Sequence, residues 1–307
     1  MKRVNLRWLY AALPLAGAVE MVAAIGFGHA APGPDDYERL VPELASVYRE
    51  GDLVVVTPRW AEPHVRHAAG DPFFPLRAIA RSDDASFPRV VEISLRGARS
   101  DAFEGYREVD HREVGNLELF VLENPAPERV VFDFVEALEP GWASAGGTDP
   151  PTTCPWNPRA EIMTGGLGGH PGFPRARFVC PDSPYLNVSA TVIADQSFLP
   201  RRCIWAHPTK RGARVVRYSG VPLGDRIEGH GGMYWMIERE RKGAPVTLEV
   251  RVDGETVGSV VHEDGDGWKP FSFPLEERAG RPSATVEFFV SSPDYRDRHF
   301  CFQADTR

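Results

Sequence analysis

Apolar positions follow two different rhythms along the chain. Between residues 36 and 125, helical and strand periods alternate. DDYERLVPELASVYRE opens with acids, sets Leu40, Val41, Leu44, Val47 and Tyr48 on one helical face and stops before Gly51-Asp52, which predicts an amphipathic helix. LVVVT at 53–57 is a continuous apolar run, the pattern of a strand covered on both faces in a parallel sheet. WAEPHVRHAAG then reads as a short helix, RVVEISL as a second buried strand and LELFVLE as a third. The order αβαββ with short loops predicts a small α/β layered domain over 36–125.

From residue 176 the rhythm changes to short strands and turns. RARFVC, LNVSATVIA, RCIWAHP, ARVVRYSG, GGMYWMIERE, PVTLEVRV, ETVGSVVHE, WKPFSFPL, ATVEFFVSS and RHFCFQAD are rich in β-branched and aromatic residues and end at Gly, Pro or Asp, the pattern of a β-sandwich over 176–307. Val246, Leu248, Val250 and Val252 alternate onto one face before Asp253-Gly254, a hairpin turn signal. Residues 126–175 read as a connecting segment. Its part from 139 to 175 is dense in Gly and Pro but carries Cys154 and Trp156, which favours a pinned loop over a free linker. The fold class is therefore α+β multidomain, a small α/β layer followed by a disulfide-stapled, jelly-roll-like sandwich. With 29 Gly and 28 Pro among 307 residues, many short strands are easier to build than long helices.

Residues 1–30 add an export feature. MKRVNLR precedes the apolar run from Trp8 to Phe27, so the segment reads as a signal peptide cleaved after Gly28-His29-Ala30 or as an uncleaved anchor over 8–27. Glu20 and Pro14 are unfavourable for the anchor. No Cys follows the run, which excludes a lipoprotein anchor. The predicted location is periplasmic or extracellular, and contact with membrane is expected only through this segment. Four cysteines suit that setting. The economical pairing is Cys154 with Cys180 and Cys203 with Cys301, one of three possible connectivities. The second bridge would span nearly the whole sandwich and remove roughly 4–5 kcal/mol of unfolded-state freedom. No CxxC occurs, so zinc and thioredoxin-type chemistry lack their spacing.

The phrase YREGDLVVVTPRWAEPHVRHAAGD resembles the soluble tail of mannosyltransferase-type membrane glycosyltransferases, with a helix leading into a Gly-Asp-apolar strand and a Pro-aromatic turn. In those enzymes the tail follows a many-helix catalytic domain that this chain lacks, so the resemblance carries no active-site residue over. The C-terminal half resembles the jelly-roll sandwiches of carbohydrate-binding and galactose-binding-like modules, through its DG hairpin, its DGxGW turn and the aromatic strand that follows. That resemblance implies a shape and, with it, a glycan or another cell-envelope component as partner.

Candidate chemistry is sparse. A net charge of −8 with dispersed Lys and Arg gives no footprint for nucleic acid. HEDGDGWKPFSF at 262–273 offers Asp264, Asp266 and Gly267 but lacks the remaining ligands of a calcium loop, so it reads as an acidic turn with Trp268 sealing the core. HGGMYW supplies the ligand-binding candidates His230, Tyr234 and Trp235: glycines admit a ligand close to backbone, and aromatic faces stack on sugar rings. In a strand Tyr234 and Trp235 point to opposite faces, leaving one for the core. Trp205 reads as core and His207 as a turn residue. There is no GxSxG, HExxH or phosphate-binding glycine motif, and no metal or other cofactor is predicted. Glu108, Asp110, His111 and Glu113 form a polar cluster in which His111 could act as a general base, though alternating charge fits a solvated loop. Asn187-Val188-Ser189 matches a glycosylation sequon.

The sequence thus predicts a non-catalytic exported or anchored protein whose sandwich binds glycan or another envelope component. The alternatives are a glycosyltransferase-associated or hydrolase-like enzyme using the Asp110/His111 region, and a structural partner of a membrane complex.

Overall fold

The computed structural model describes residues 7–29, 31–163, 172–181 and 186–307. The chain divides into two compact units, Met1–Pro75 with Phe87–Pro127, and Leu76–Ser86 with Glu128–Arg307. Residues 1–6 and Ala30, which hold the basic flank and the end of the expected cleavage site, lie outside the described residues.

In the first unit α1 (Arg7–His29) covers the apolar run and contains Pro14. Among the described residues no helix is long and apolar enough to cross a membrane, and the anchor expected over 8–27 gains no support. α2 (Pro34–Val47) buries Leu40, Leu44 and Val47, three of the five positions read as its apolar face. β1 (Leu53–Thr57) follows, then α3 (Glu62–Ala69). The four-residue α4 (Leu76–Ile79) belongs to the second unit. β2 (Arg89–Leu95), β3 (Arg107–Val114) and β4 (Leu117–Glu123) complete a four-stranded sheet of order β1-β2-β4-β3. β1 runs parallel to β2, and the other pairs are antiparallel.

The charged stretch expected as a solvated loop is β3. Pairing with β4 satisfies one side of its backbone, and its exposed charges leave an edge that does not invite another strand. β2 is buried at every position, including Glu92. That carboxylate accepts from Thr57 Oγ1 at 2.8 Å, the Ser100 amide at 2.7 Å and Arg99 Nε at 2.8 Å, which offsets the cost of its burial.

The second unit is the sandwich. Its strands are β5 (Phe132–Asp133), β6 (Ala143–Thr148), β7 (Pro151–Cys154), β8 (Trp156–Asn157), β9 (Arg177–Phe178), β10 (Val188–Ala194), β11 (Pro200–Ala206), β12 (Arg214–Val221), β13 (Arg226–Met233), β14 (Val246–Val252), β15 (Glu255–His262), β16 (Lys269–Pro274), β17 (Ala284–Ser291) and β18 (Phe300–Thr306), with α5 (Trp235–Glu240) after β13. One sheet has the order β16-β13-β18-β11-β10-β9-β8, with β5 added beside β18; the other has β15-β14-β17-β12-β6-β7. The segment expected to connect, 126–175, supplies β5 to β8, and β6 pairs directly with β12. Its glycines permit this: a Cβ on Gly146 would run into the backbone carbonyl of Thr152 on the neighbouring strand. The stretch GGMYWMIERE, expected as one strand, instead leaves the sheet after Met233 and turns into α5.

The core between the sheets gathers Ile204, Phe300 and Phe302 from one side with Val216, Tyr218, Leu248 and Phe288 from the other. Tyr218 is fully buried and donates its hydroxyl to the Phe134 carbonyl at 2.7 Å. The β14–β15 turn holds Asp253 and Gly254 at φ 51° and 86°, the left-handed pair that the DG signal demands. Both disulfides form as the spacing suggested, Cys154–Cys180 and Cys203–Cys301.

β13 is glycine-rich because its neighbours need the room. A Cβ at Gly229 would collide with the Gln303 carbonyl of β18, and one at Gly232 would stand 2.7 Å from the Trp268 ring. Gly229→Ala is expected to cost about 1–3 kcal/mol, since the obstacle is backbone in a packed sheet. Urea denaturation at pH 7 checks this; an unchanged midpoint would show that β13 is not wedged against β18.

Candidate functional site

His230, Tyr234 and Trp235 occupy three different settings. His230 lies on the face of β13 away from the main core. Its ring is parallel to that of Trp268, within 5° at 6.4 Å between centroids. The Trp268 indole N–H donates to Ser82 Oγ at 3.1 Å, so the Leu76–Ser86 segment lies over this face. Burial lowers the His230 pKa, with Arg201 and Arg307 acting in the same sense against Asp83 and Glu228. Of the glycines near it, Gly232 makes room for the Trp268 indole, while Gly231 makes room for the Phe300 ring.

Tyr234 packs against a cluster of Phe173, Ile193, Cys203, Trp205 and Cys301, and its amide donates to the His299 carbonyl at 3.1 Å. Trp235 opens α5 and meets Phe198, with ring centroids 5.0 Å apart. The expectation that Tyr234 and Trp235 share a strand and face opposite ways does not hold, because β13 has ended at Met233.

The acidic turn is occupied by cations and amides of its own chain. Asp264 accepts from Arg298 Nη1 at 2.7 Å and from the Gly243 amide at 2.8 Å; Asp266 accepts from Lys269 Nζ at 2.8 Å and from the Glu263 amide at 3.1 Å. Among the described residues no group of three or more His, Cys, Asp or Glu is placed to hold a metal ion. Asp110 accepts from Arg112 Nε at 3.0 Å, while His111 Nε2 meets Glu118 at 3.1 Å and its ring stacks on Phe120 at 4.3 Å. Arg112 also donates to Glu43 at 2.7 Å. Asn187 of the sequon is fully buried and its Oδ1 accepts from Ser189 Oγ at 2.9 Å, out of reach of a modifying enzyme in the folded protein.

A cleft of about 750 Å³ opens at one end of the sandwich. Its walls are the β6–β7 turn at Asp149 and Pro150, the β11–β12 loop from His207 to Arg211 and the approach to β18 at Tyr295–His299. Two of these walls are tied together: the Thr148 hydroxyl accepts from the Ala213 amide at 2.8 Å, and the Thr148 amide donates to the Ala213 carbonyl at 3.1 Å. Gly212, at φ 64°, lets the backbones meet, since a Cβ there would stand 2.9 Å from the Asp149 nitrogen.

His207 and His299 form the floor, each buried, with ring centroids 5.8 Å apart. Trp205 lies 5.3 Å from His299 and 6.2 Å from His207, and Tyr295 meets His207 edge-on at 6.4 Å. His207 Nδ1 is 2.8 Å from the Pro208 carbonyl. A carbonyl only accepts, so Nδ1 carries the proton and Nε2 presents a lone pair. Burial lowers the His207 pKa to about 4; the Pro208 bond and Asp297 oppose this, while Arg214 and Arg298 reinforce it. The imidazole is therefore neutral at pH 7. Lys210, Arg211 and Arg296 stand on the rim with Asp149 and Asp297.

The sequence placed His207 in a turn and Trp205 in the core, as observed, but did not connect them with Tyr295 and His299. The signal was the pair of motifs WAHP and RHFC: each puts a histidine two residues from a cysteine or tryptophan of one disulfide-linked strand pair.

No protein-family model matches the chain, and no curated protein does, so the likeness of the first domain to mannosyltransferase-type enzymes finds no support there. Among solved structures, CBM51-2 with INT domains of Clostridium perfringens ZmpB, in complex with GlcNAc, matches at 13% identity and a TM-score of 0.29, over 38% of this chain and 25% of that one. CBM51 of C. perfringens GH95, in complex with methyl-galactose, matches at 18% identity and a TM-score of 0.29, over 38% of this chain and 81% of the other. This chain thus spans a quarter of the first structure's length. A TM-score of 0.29 is too low to carry a ligand or a site across.

The His207 shift has a consequence for stability. Above pH 6.5 both folded and unfolded states hold a neutral imidazole. As pH falls from 6.5 towards 4, the unfolded chain takes up a proton that the folded state refuses, so stability falls by on the order of 3 kcal/mol. His207→Gln removes this contribution, and its urea midpoint is expected to vary less between pH 7 and 4.5 than that of the parent. Identical pH slopes would refute the burial of a neutral His207.

Proposed function

We propose that this is an exported, non-catalytic glycan-binding protein whose sandwich holds a sugar in the cleft at His207, Tyr295 and His299. The observation that carries this reading is the neutral His207 beneath a cleft of about 750 Å³. A lone pair at Nε2 suits a sugar hydroxyl as donor, and the half-buried Tyr295 offers a ring face for the C–H side of the sugar. Lys210, Arg211 and Arg296 supply donors for the outward hydroxyls. Two disulfides fit an oxidising compartment, and export would be directed by the N-terminal segment, cleaved or retained.

Tyr295→Ala tests the reading because its side chain lies at the cleft wall and outside the main core. Loss of the ring is expected to weaken retention on a neutral glycan array by about 1–2 kcal/mol, roughly five- to thirty-fold in Kd, with little change in Tm. Undiminished glycan binding by a folded Tyr295→Ala protein would exclude the cleft. Absence of binding by the parent across the array would exclude the function.

A further inference from the structure

The turn between β10 and β11 displays an aromatic residue at a conformational cost. Phe198 has φ 61° and is 55% exposed. A bulky residue in the left-handed region is a genuine outlier and persists only where its surroundings hold it. Here they do. Asp195, itself buried, accepts from the amides of Ser197 at 2.8 Å and Leu199 at 3.0 Å, and its second oxygen accepts from Arg201 Nε at 2.8 Å. The turn is thus fixed from beneath while the Phe198 side chain faces outward, the reverse of what core packing would select.

Two further side chains complete a surface around it. The Trp235 ring lies 5.0 Å from Phe198 at 52°. The Arg239 guanidinium stands 4.2 Å from the Phe198 centroid and 5.6 Å from that of Trp235. Its Nη2 donates to the Gln196 carbonyl at 2.9 Å, which fixes its direction. Among the described residues Arg239 has no carboxylate partner, so most of its five N–H donors remain open to an anion. The local sequence Arg239-Glu240-Arg241-Lys242 carries three cations and one acid on a chain of net charge −8. Rigid aromatic rings beside a pre-oriented guanidinium match a ligand that has both an apolar face and a carboxylate.

We propose that Phe198, Trp235 and Arg239 form a second binding site, separate from the cleft, for the uronic-acid units of an acidic polysaccharide. The C–H face of the sugar lies against the exposed Phe198 ring and the half-buried Trp235 ring, and its carboxylate accepts from Arg239. Binding should weaken with salt, because it depends on an exposed charge.

The test is affinity electrophoresis of the full chain in native gels containing polygalacturonate or its methyl-esterified form. Polygalacturonate is expected to retard the parent, and esterification to abolish the effect. Phe198→Ala and Arg239→Gln should each weaken retention roughly ten-fold, with Arg239→Lys intermediate and Tm unchanged, since all are surface positions. Tyr295→Ala should retain it in full. Absence of retardation of the parent, equal retardation by the esterified polymer, or full retention by Arg239→Gln would overturn the proposal. Loss in Tyr295→Ala alone would assign acidic glycan to the cleft instead. Adsorption to phosphatidylserine vesicles without affinity for polygalacturonate would make the patch a lipid contact and likewise overturn it.

Discussion

Strand β18 must be buried on both faces, and the arrangement of the sandwich follows from that. It lies between β13 and β11 with β5 at its end, and every residue from Phe300 to Arg307 is buried. Phe300, Phe302 and Ala304 face the core between the sheets. The alternate side chains are Cys301, Gln303, Asp305 and Arg307, and a buried polar row needs partners. Cys301 is bonded to Cys203. Gln303 donates to Asp305 at 2.9 Å, while Arg307 meets Asp305 at 2.7 Å, Asp83 at 2.8 Å and Glu128 at 2.7 Å. Asp83 comes from Leu76–Ser86, which is why that excursion belongs with the sandwich although it is flanked in sequence by the α/β layer.

The Leu76–Ser86 segment reaches the outer face of β18 through the Asp83–Arg307 pair. His230 stands on the neighbouring strand with its ring parallel to that of Trp268, whose indole N–H donates to Ser82 of the same covering segment. In the proposed reading, recognition falls to the loops. The β6–β7 turn, the β11–β12 loop and the entry to β18 enclose the cleft, and the β10–β11 turn carries Phe198. Strands position these loops rigidly while leaving their side chains free to vary, the usual division between scaffold and function.

Much of the architecture was legible because it depends on local rules. Alternation in β14, the Asp253-Gly254 turn and the continuous apolar runs of β1 and β2 each specify their own geometry. Cysteine spacing made the observed pairing the economical one among three connectivities, and the fold selects it. The misread elements depend on distant partners. Gly146 and Gly147 look like linker residues until β7 and β12 flank them. The tight packing at the HGG of β13 is likewise invisible locally, since Trp268, more than thirty residues later in sequence, fills the space above Gly232. Tyr234 and Trp235 carry strong β propensity, yet the chain turns into α5 at that point, a tertiary override of a local preference. The cleft was the least legible feature, because His207, Tyr295 and Asp149 come from three separate loops and no motif unites them.

The fate of the charged clusters explains why conspicuous acids misdirect a reading of this sequence. Asp264, Asp266, Asp110 and Asp195 each face an arginine or lysine. Such pairs hold turns and edges in place, and where they are buried a lost partner costs more than the pair itself contributes. Their carboxylates are already hydrogen-bonded and have little to offer a ligand. His207 differs in kind. Burial keeps it uncharged, and one nitrogen is committed to a neighbouring carbonyl, which leaves the lone pair on the other. Arg239 differs in the same way, since the contacts that orient it are rings and a carbonyl oxygen, none of which neutralises its charge. The two proposed sites therefore share one principle: polar groups whose local partners fix their direction without consuming their remaining hydrogen-bonding sites.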